Sequence, residues 1–290
     1  MPEIIRIPGV SIQKPSLTHR AIKGVSTSTT VLIGSFPKGR AYTSTRIQSL
    51  RKCELAFGGL KQNNLCSLVA SQFFTNGGKD LWVISTGSRA SLSANPLLKG
   101  LSLVPKIQTV NTLLLPETFQ LSDREAAKVF PSAISVAEKQ QAMYLLDLPH
   151  TAHSRQRVKD VAAWVRSQRG IQHPNVAVYF PLIQVPSATS KEMRAIPSSG
   201  TMAGVFARID NSRGVWTAPA GLEATLKGVT GLSLLPTSKD ISLLTSVHIN
   251  ALTHHASSGF VAWGARTLST SSEWTYFPVR RMALFLEKSL

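Results

Sequence analysis

Apolar residues along this 290-residue chain alternate between short runs of strand length and longer stretches with a helical stripe. "TTVLIGSF" (29–36) is an unbroken apolar run. "LCSLVASQFF" (65–74) places Leu65, Leu68, Val69 and Phe73 at i, i+3, i+4 and i+8, which is one face of a helix. Asn76-Gly77-Gly78 stops it, because glycine accepts the left-handed conformation that a helix end favours. "DLWVIS" (80–85) then reads as a strand again. Strand, helix, strand in this order implies adjacent parallel strands with a right-handed crossover.

The pattern repeats downstream. "SVAEKQQA" (135–142) is helical and "MYLLDLP" (143–149) is a strand. "RQRVKDVAAWVRSQRG" (155–170) carries Val158, Val161, Ala162 and Val165 on one face with basic residues opposite, and "NVAVYFP" (175–181) is a further strand. A third helix is expected over 239–256, with Ile241, Leu244, His248 and Leu252 along one side. "GFVAWGARTL" (259–268) reads as a strand entering a tight turn, and "PVRRMALFLEKSL" (278–290) as a helix with proline in its first turn. The Ser-, Leu- and Pro-rich stretch 86–120 predicts no definite element. Residues 1–20 form an extended arm: "EIIRIPGVSI" is β-prone and broken by Pro8-Gly9, with no pairing partner nearby. The fold expected is α/β, a mixed sheet with helices on its faces. The organisation expected is an arm over 1–20, an α/β region over 21–205 and a C-terminal region over 206–290.

Composition adds a charge problem. Thirty-two Lys and Arg against 15 Asp and Glu leave a formal +17, dispersed rather than gathered into a tail. Such an excess calls for an acidic counterpart, either nucleic acid, an anionic membrane or a negative protein surface. A basic nucleic-acid-binding protein is therefore one reading, although aromatic residues are not clustered beside basic stripes. No run approaches the ~18 apolar residues of a membrane span, and the N-terminus lacks the apolar core of a signal peptide, so a soluble protein made in the cytoplasm is expected. Cys53 and Cys66 lie in apolar surroundings without metal or redox spacing and are expected to be buried thiols.

Candidate chemistry is sparse. "LDLPHTAH" sets Asp147, His150 and His153 just beyond a strand, where α/β folds often keep their sites. No Glu or Cys stands close in sequence to complete a metal set. Nucleophile elbow, phosphate loop and dinucleotide fingerprint are all missing. Neither an enzyme, a cofactor nor a metal is expected.

The most unusual stretch is "VFARIDNSRGVWTAPAGLEATLKGV" (205–229). Arg208, Asp210 and Arg213 are expected at a strand end, close enough for a guanidinium fork to clamp the carboxylate. Gly214 would permit a bend, Trp216 would anchor it in a core, and Pro219 with Gly221 would set the exit. This describes a stiff, ion-paired corner without a nucleophile.

These residues resemble the contractile tail sheath proteins of myophages and related injection systems. That family reads P-P-S-G-x-V-A-G-V-x-A-R-x-D-x-x-R-G-V-W-x-A-P-A, and this chain has "IPSSGTMAGVFARIDNSRGVWTAPAG" (196–221). The family's L-N-x-x-G-I-N, V-W-G-A-R-T-L and V-R-R segments look like "LLTSVHINALTHHASSGFVAWGARTL" and "YFPVRRMALFLEKS". Upstream, "IPGVSI", "FGGL…FFTNGGKDLWVIS" and "MYLLDLP" sit where sheath proteins carry similar segments. Only Ile249-Asn250 match the end of L-N-x-x-G-I-N. Family members usually continue well past the V-R-R helix, so the resemblance implies an incomplete α+β C-terminal domain here, completed by a second chain or left short.

The resemblance further implies a subunit of a helical sleeve around an inner tube. The sleeve would assemble in a host bacterial cytoplasm and belong to a phage tail or contractile injection particle. It would drive the tube through an envelope, with baseplate and tail terminator proteins as further partners. Ile4, Ile5, Ile7 and Val10 would form a strand donated to a neighbouring subunit. Arg280, Arg281 and Lys288 would face the tube, and Arg266 would pair internally with a carboxylate. Neither membrane insertion nor specific nucleic-acid binding is implied.

Overall fold

Strand β1, Thr30–Gly34, is buried at all five positions because both of its faces are covered. In the computed structural model, which describes residues 24–59, 64–88, 93–149, 157–187 and 192–290, β1 lies inside a six-stranded sheet. The sheet adds β2 (Ser44–Ile47), β3 (Leu81–Ser85), β4 (Thr112–Leu114), β5 (Met143–Leu145) and β6 (Val176–Ala177) in the order β2-β3-β1-β4-β5-β6. Thr30 stands opposite Leu81 on one side and Thr112 on the other, and Tyr144 opposite Val176, all in parallel. Only β2 runs antiparallel.

Side chains one residue apart on these strands enter different cores. Val31, Ile33, Leu113 and Tyr144 point to one, and Leu32, Leu114, Met143 and Leu145 to the other. This follows from the two-residue period of a strand, and it makes centrally placed parallel strands apolar throughout. Helices α3 (Asn95–Leu101), α4 (Asp123–Lys139), α5 (Val158–Ser167) and α7 (Ser238–Ser246) contribute to the first core. Helices α1 (Leu50–Phe57), α2 (Leu65–Thr75), α6 (Ser199–Arg213) and α8 (Phe277–Ser289) contribute to the second. The result is three layers, helix, sheet, helix.

Two small sheets flank the large one. β8 (Ile183–Pro186) pairs antiparallel with β9 (Met193–Ile196) and β10 (Gly231–Leu232). β7 (Tyr179–Phe180) pairs in parallel with β11 (Asn250–His255), which forms a hairpin with β12 (Gly259–Ala262). Both expected strand–helix–strand units are present, and the stretch 86–120 resolves into α3 and β4.

Three expectations need correction. The helix expected over 239–256 ends at Ser246. Its end is closed by Ile249 N–H donating to Leu244 O at 2.9 Å and His248 N–H to Thr245 O at 3.1 Å, with His248 at φ 61°. Beyond it Ile249 and Ala251 enter one core and Leu252 the other, which is strand alternation, so His254 and His255 end β11 and not a helix. Second, residues 199–213 form a helix, not a strand end. Third, the boundary drawn at 205/206 falls inside α6, and β7–β11 pairing ties the two expected regions into one structure.

Helix α6 lies against α2 at very close range. A Cβ on Gly200 would sit 2.3 Å from the Val69 carbonyl oxygen, and one on Gly204 would sit 2.4 Å from that of Phe73. Residues 200 and 204 share a helix face, so their missing side chains form the groove that admits the α2 backbone.

Candidate functional site

The second half of α6 and the loop after it form the corner singled out in the sequence, but its bonds differ from those expected. Arg208 donates from Nη1 to Asn76 O at 2.9 Å and from Nη2 to Thr225 O at 2.7 Å. Asn76, buried at the end of α2, donates to Lys227 O at 3.0 Å and accepts from Lys227 N–H at 2.8 Å. Arg208 and Asn76 thus fasten the end of α2 to residues 225–227 through backbone groups. Burial lowers the Arg208 guanidinium's pKa from its ordinary value. Arg213 pairs with Glu223 at 2.6 Å on the surface, where such a pair contributes about 0–1 kcal/mol. Gly214 closes α6 at φ 91°.

Trp216 does not anchor a core. It is 63% exposed, and its ring lies over Gly214, where a Cβ would be 2.4 Å from it. The neighbouring Val215 is the buried residue. Pro219 is buried, and Gly221, at φ 86°, donates to Ala262 O at 2.8 Å, tying the corner to β12.

Asp210 is clamped by a guanidinium fork, and the donor is Arg281. Nη1 reaches Oδ1 at 2.8 Å and Nη2 reaches Oδ2 at 2.5 Å, while Nη2 also donates to Thr27 O at 3.1 Å. The two side chains are 2% and 5% exposed. The guanidinium carbon lies 5.4 Å from the Phe206 ring centre and 5.6 Å from that of Phe277. A bidentate pair enclosed by two aromatic rings joins α6, α8 and the chain entering β1.

The three cations expected to face a tube are engaged within the chain. Arg281 is in this clamp. Arg280 donates from Nε to Asn175 Oδ1 at 2.8 Å and lies 4.8 Å from the Trp274 ring centre. Lys288 donates to Val110 O, and burial together with the Arg281 charge pushes its pKa down to about 8. Arg266 has no carboxylate partner among the described residues. Its guanidinium lies 5.8 Å from the Tyr276 ring centre, and the Arg266 backbone N–H donates to Asn250 Oδ1 at 2.7 Å. Ile4, Ile5, Ile7 and Val10 lie outside the described residues, as do His150 and His153.

Asp147 belongs to a buried polar joint at the carboxyl ends of the parallel strands. It accepts from Ser199 Oγ at 2.5 Å at the start of α6, and Thr118 Oγ1 donates to its carbonyl at 2.9 Å. Glu117 accepts from Ser35 N–H at 3.0 Å and from its hydroxyl. The Cys66 thiol packs on Gly34 between these groups. Burial pushes the Asp147 carboxyl up to about 7, against the pull of Ser199, and raises Glu117 and both thiols, Cys53 to about 12. Among the described residues no group of three or more His, Cys, Asp or Glu assembles to hold a metal.

A folded-state pKa near 7, against ~3.9 in an unfolded chain, means that folding takes up a proton between those values. The stability supplied by neutral Asp147 is complete below about pH 4. It declines by about 1.4 kcal/mol per pH unit at most as the pH rises, and is gone above about 7. Asp147→Asn keeps an acceptor for Ser199 without the charge. The stability of wild type minus that of Asp147→Asn, from urea unfolding at several pH values, is expected to fall from pH 4 to 7 and level off above. A flat difference would refute the assignment.

No protein-family model matches the chain. It is 30% identical over 162 residues to a curated protein of Pseudomonas aeruginosa (strain UCBPP-PA14) whose name places it as the major tail sheath protein of a prophage. The match covers 53% of this chain and 39% of that one. Over 99% of its length the chain superposes on the helical sheath of the anti-feeding prophage in its contracted state, at TM-score 0.73 and 24% identity, covering 75% of that chain. The fold is that of a contractile sheath protein. It also superposes on a sheath tail protein of Desulfitobacterium hafniense at TM-score 0.63 and 9% identity, covering 96% of this chain and 80% of that one. The chain thus spans about two fifths of the curated relative and about three quarters of the anti-feeding prophage sheath chain.

"SGTMAGVFARID" thus carries the glycine groove that admits the α2 backbone, with Arg208 and Asp210 each carrying a separate bond network. The residues that the sequence left unremarked are Gly200, Gly204 and Ser199, while Asn76 was read only as a helix stop. The signal for the first two was present: small residues four apart on a helix allow close backbone approach.

Proposed function

We propose that this chain is a structural subunit of a contractile tail sheath or injection-system sheath. It polymerises helically around an inner tube and contracts to drive that tube through a target envelope. The observation that carries this reading is the extent of the likeness: one fold shared over 99% of the chain with a helical contractile sheath, joined to a sequence match with a prophage sheath protein. The rigidity of the unit supports it as well. The buried Arg281–Asp210 clamp and the α2–α6 contact make a body suited to moving as a whole between two lattices. No nucleotide is required, because the energy resides in subunit packing.

In this reading Ile4, Ile5, Ile7 and Val10 form a strand that completes a sheet in a neighbour, with backbone hydrogen bonds providing affinity. The partners are further copies of the chain, a tube protein, and baseplate and terminator proteins. Assembly takes place in a bacterial cytoplasm. Attraction to the tube comes from exposed cations, since Arg280, Arg281 and Lys288 are internally engaged.

Deleting residues 1–14 is expected to leave a folded chain with an unchanged far-ultraviolet circular dichroism spectrum but no polymers by negative-stain electron microscopy. Full-length chain coexpressed with its tube protein is expected to form sleeves that release the tube as salt rises. Sleeves formed by the deletion variant would overturn the arm's role. A full-length chain that never polymerises with its tube would overturn the sheath reading.

A further inference from the structure

His248 occupies a backbone position where a side chain is unfavourable. It follows the last turn of α7 at φ 61°, in the paired 6→1 and 5→2 hydrogen-bond arrangement that glycine normally completes. A non-glycine residue in left-handed conformation persists only where the surroundings or a function retain it. No hydrogen bond holds the imidazole among the described residues. Instead it lines a cavity of about 320 Å³ between the ends of α5 and α7 and residues 268–270. Val165 and Leu268 are apolar walls of this cavity, and Arg166, Gln172, His248 and Thr270 carry its polar groups.

Arg166 is exposed. The single partner found for its guanidinium among the described residues is the neutral Ser246 hydroxyl, at 3.2 Å. The side chains of Gln172 and Thr270 have no hydrogen-bond partner among the described residues. A guanidinium, an imidazole, an amide and a hydroxyl therefore stand around an apolar hollow with no acidic residue in its lining among the described residues. We propose that this hollow is a docking site for an acidic segment of a partner protein, taking one carboxylate against Arg166 and His248 and a neighbouring aliphatic side chain against Val165 and Leu268.

Charge argues that the partner is not a second copy. The chain is short of carboxylates, and many of those described are committed: Asp80 to Arg46, Glu125 to Lys128, Glu223 to Arg213, Asp210 to Arg281, and Asp240 to its own helix cap. With a formal +17, a protein richer in acid than this one is the complementary surface. Guanidinium suits the task because its planar fork matches a carboxylate.

The test uses the full chain and a fluorescein-labelled peptide, Ser-Leu-Glu-Leu-Ser, capped at its C-terminus, followed by anisotropy. Saturable binding is expected, with the Gln version of the peptide weaker by about tenfold, as loss of a charge-assisted hydrogen bond implies. His248→Gly and Arg166→Gln are each expected to weaken binding by about fivefold or more. His248→Gly is also expected to melt at the same or a higher temperature, since glycine relieves the backbone. Equal binding of the Glu and Gln peptides, or undiminished binding by either variant, would overturn the proposal. So would a His248→Gly variant that melts lower, because the imidazole would then be a structural group.

Discussion

Arg281→Ala is expected to destabilise the chain by about 3–5 kcal/mol, because the substitution leaves the Asp210 carboxylate buried without its countercharge. Three further interactions go with it: the bond to Thr27 O and the two contacts with the Phe206 and Phe277 rings. The net worth of the pair is a separate question from the cost of breaking it. Desolvating two charges offsets much of their attraction, so replacing both by apolar residues of similar volume is often near neutral. The double variant Arg281→Met, Asp210→Leu is therefore expected to be much closer to wild type than Arg281→Ala. Arg281→Lys should fall between them, since an ammonium cannot form the two-pronged bond. Urea unfolding of the four proteins measures all three values. An Arg281→Ala protein within about 1 kcal/mol of wild type would mean that the clamp is open in solution.

Gly204→Ala tests the other joint of the body. Two effects oppose each other at this position. Alanine favours a helix over glycine by about 1 kcal/mol. Adding atoms to a closely packed contact costs about 1–3 kcal/mol, occasionally more. The blocking atom here is the Phe73 carbonyl oxygen, 2.4 Å from the new Cβ, and a backbone group cannot rotate aside as a side-chain tip can. Against a backbone atom the packing cost lies at the upper end of that range, about 3 kcal/mol, so it wins and a net loss of about 2 kcal/mol is expected, with Gly200→Ala similar against Val69 O. Gly170→Ala, where no atom of the described residues lies within 4 Å of the added carbon, is the control and should stay within about 0.5 kcal/mol. Thermal melts suffice. A Gly204→Ala protein as stable as the control would show that α2 and α6 are not in backbone contact.

Legibility differed from element to element for physical reasons. Strands β1, β3, β5 and β6 could be read as short apolar runs of strand length, helices α2 and α5 because a 3.6-residue period dominates each, and α8 from the proline in its first turn. Helix α6 escaped because it is buried along most of its length. Without a polar face, a helix of small and apolar residues shows no stripe. The helix expected over 239–256 failed for the opposite reason. Leu244, His248 and Leu252 do fit a helical spacing, but the chain reverses at His248 and continues as β11. A spacing of four satisfies both periods there, and only the hydrogen bonds of the turn decide between them.

The residues of the corner were recognised, but their partners were not. Arg208, Asp210 and Arg213 sit close together in the chain, and proximity suggested that they bond to one another. Arg208 instead reaches the end of α2, and Asp210 is paired with a residue 71 positions away. Arg280, Arg281 and Lys288 were expected at a tube surface on the resemblance, and a sequence shows their charge but not their burial.

From the sequence alone came the alternating α/β order, the buried thiols as an expectation, the absence of familiar catalytic motifs, and the resemblance to sheath proteins. These are local or compositional properties, carried by residues near one another in the chain. The tertiary structure alone decided which carboxylate meets which guanidinium, why Gly200 and Gly204 are glycine, and which cations are free. Those depend on contacts between residues tens to hundreds of positions apart, where burial sets the strength of an ion pair and the distance between two backbones sets the size of side chain allowed.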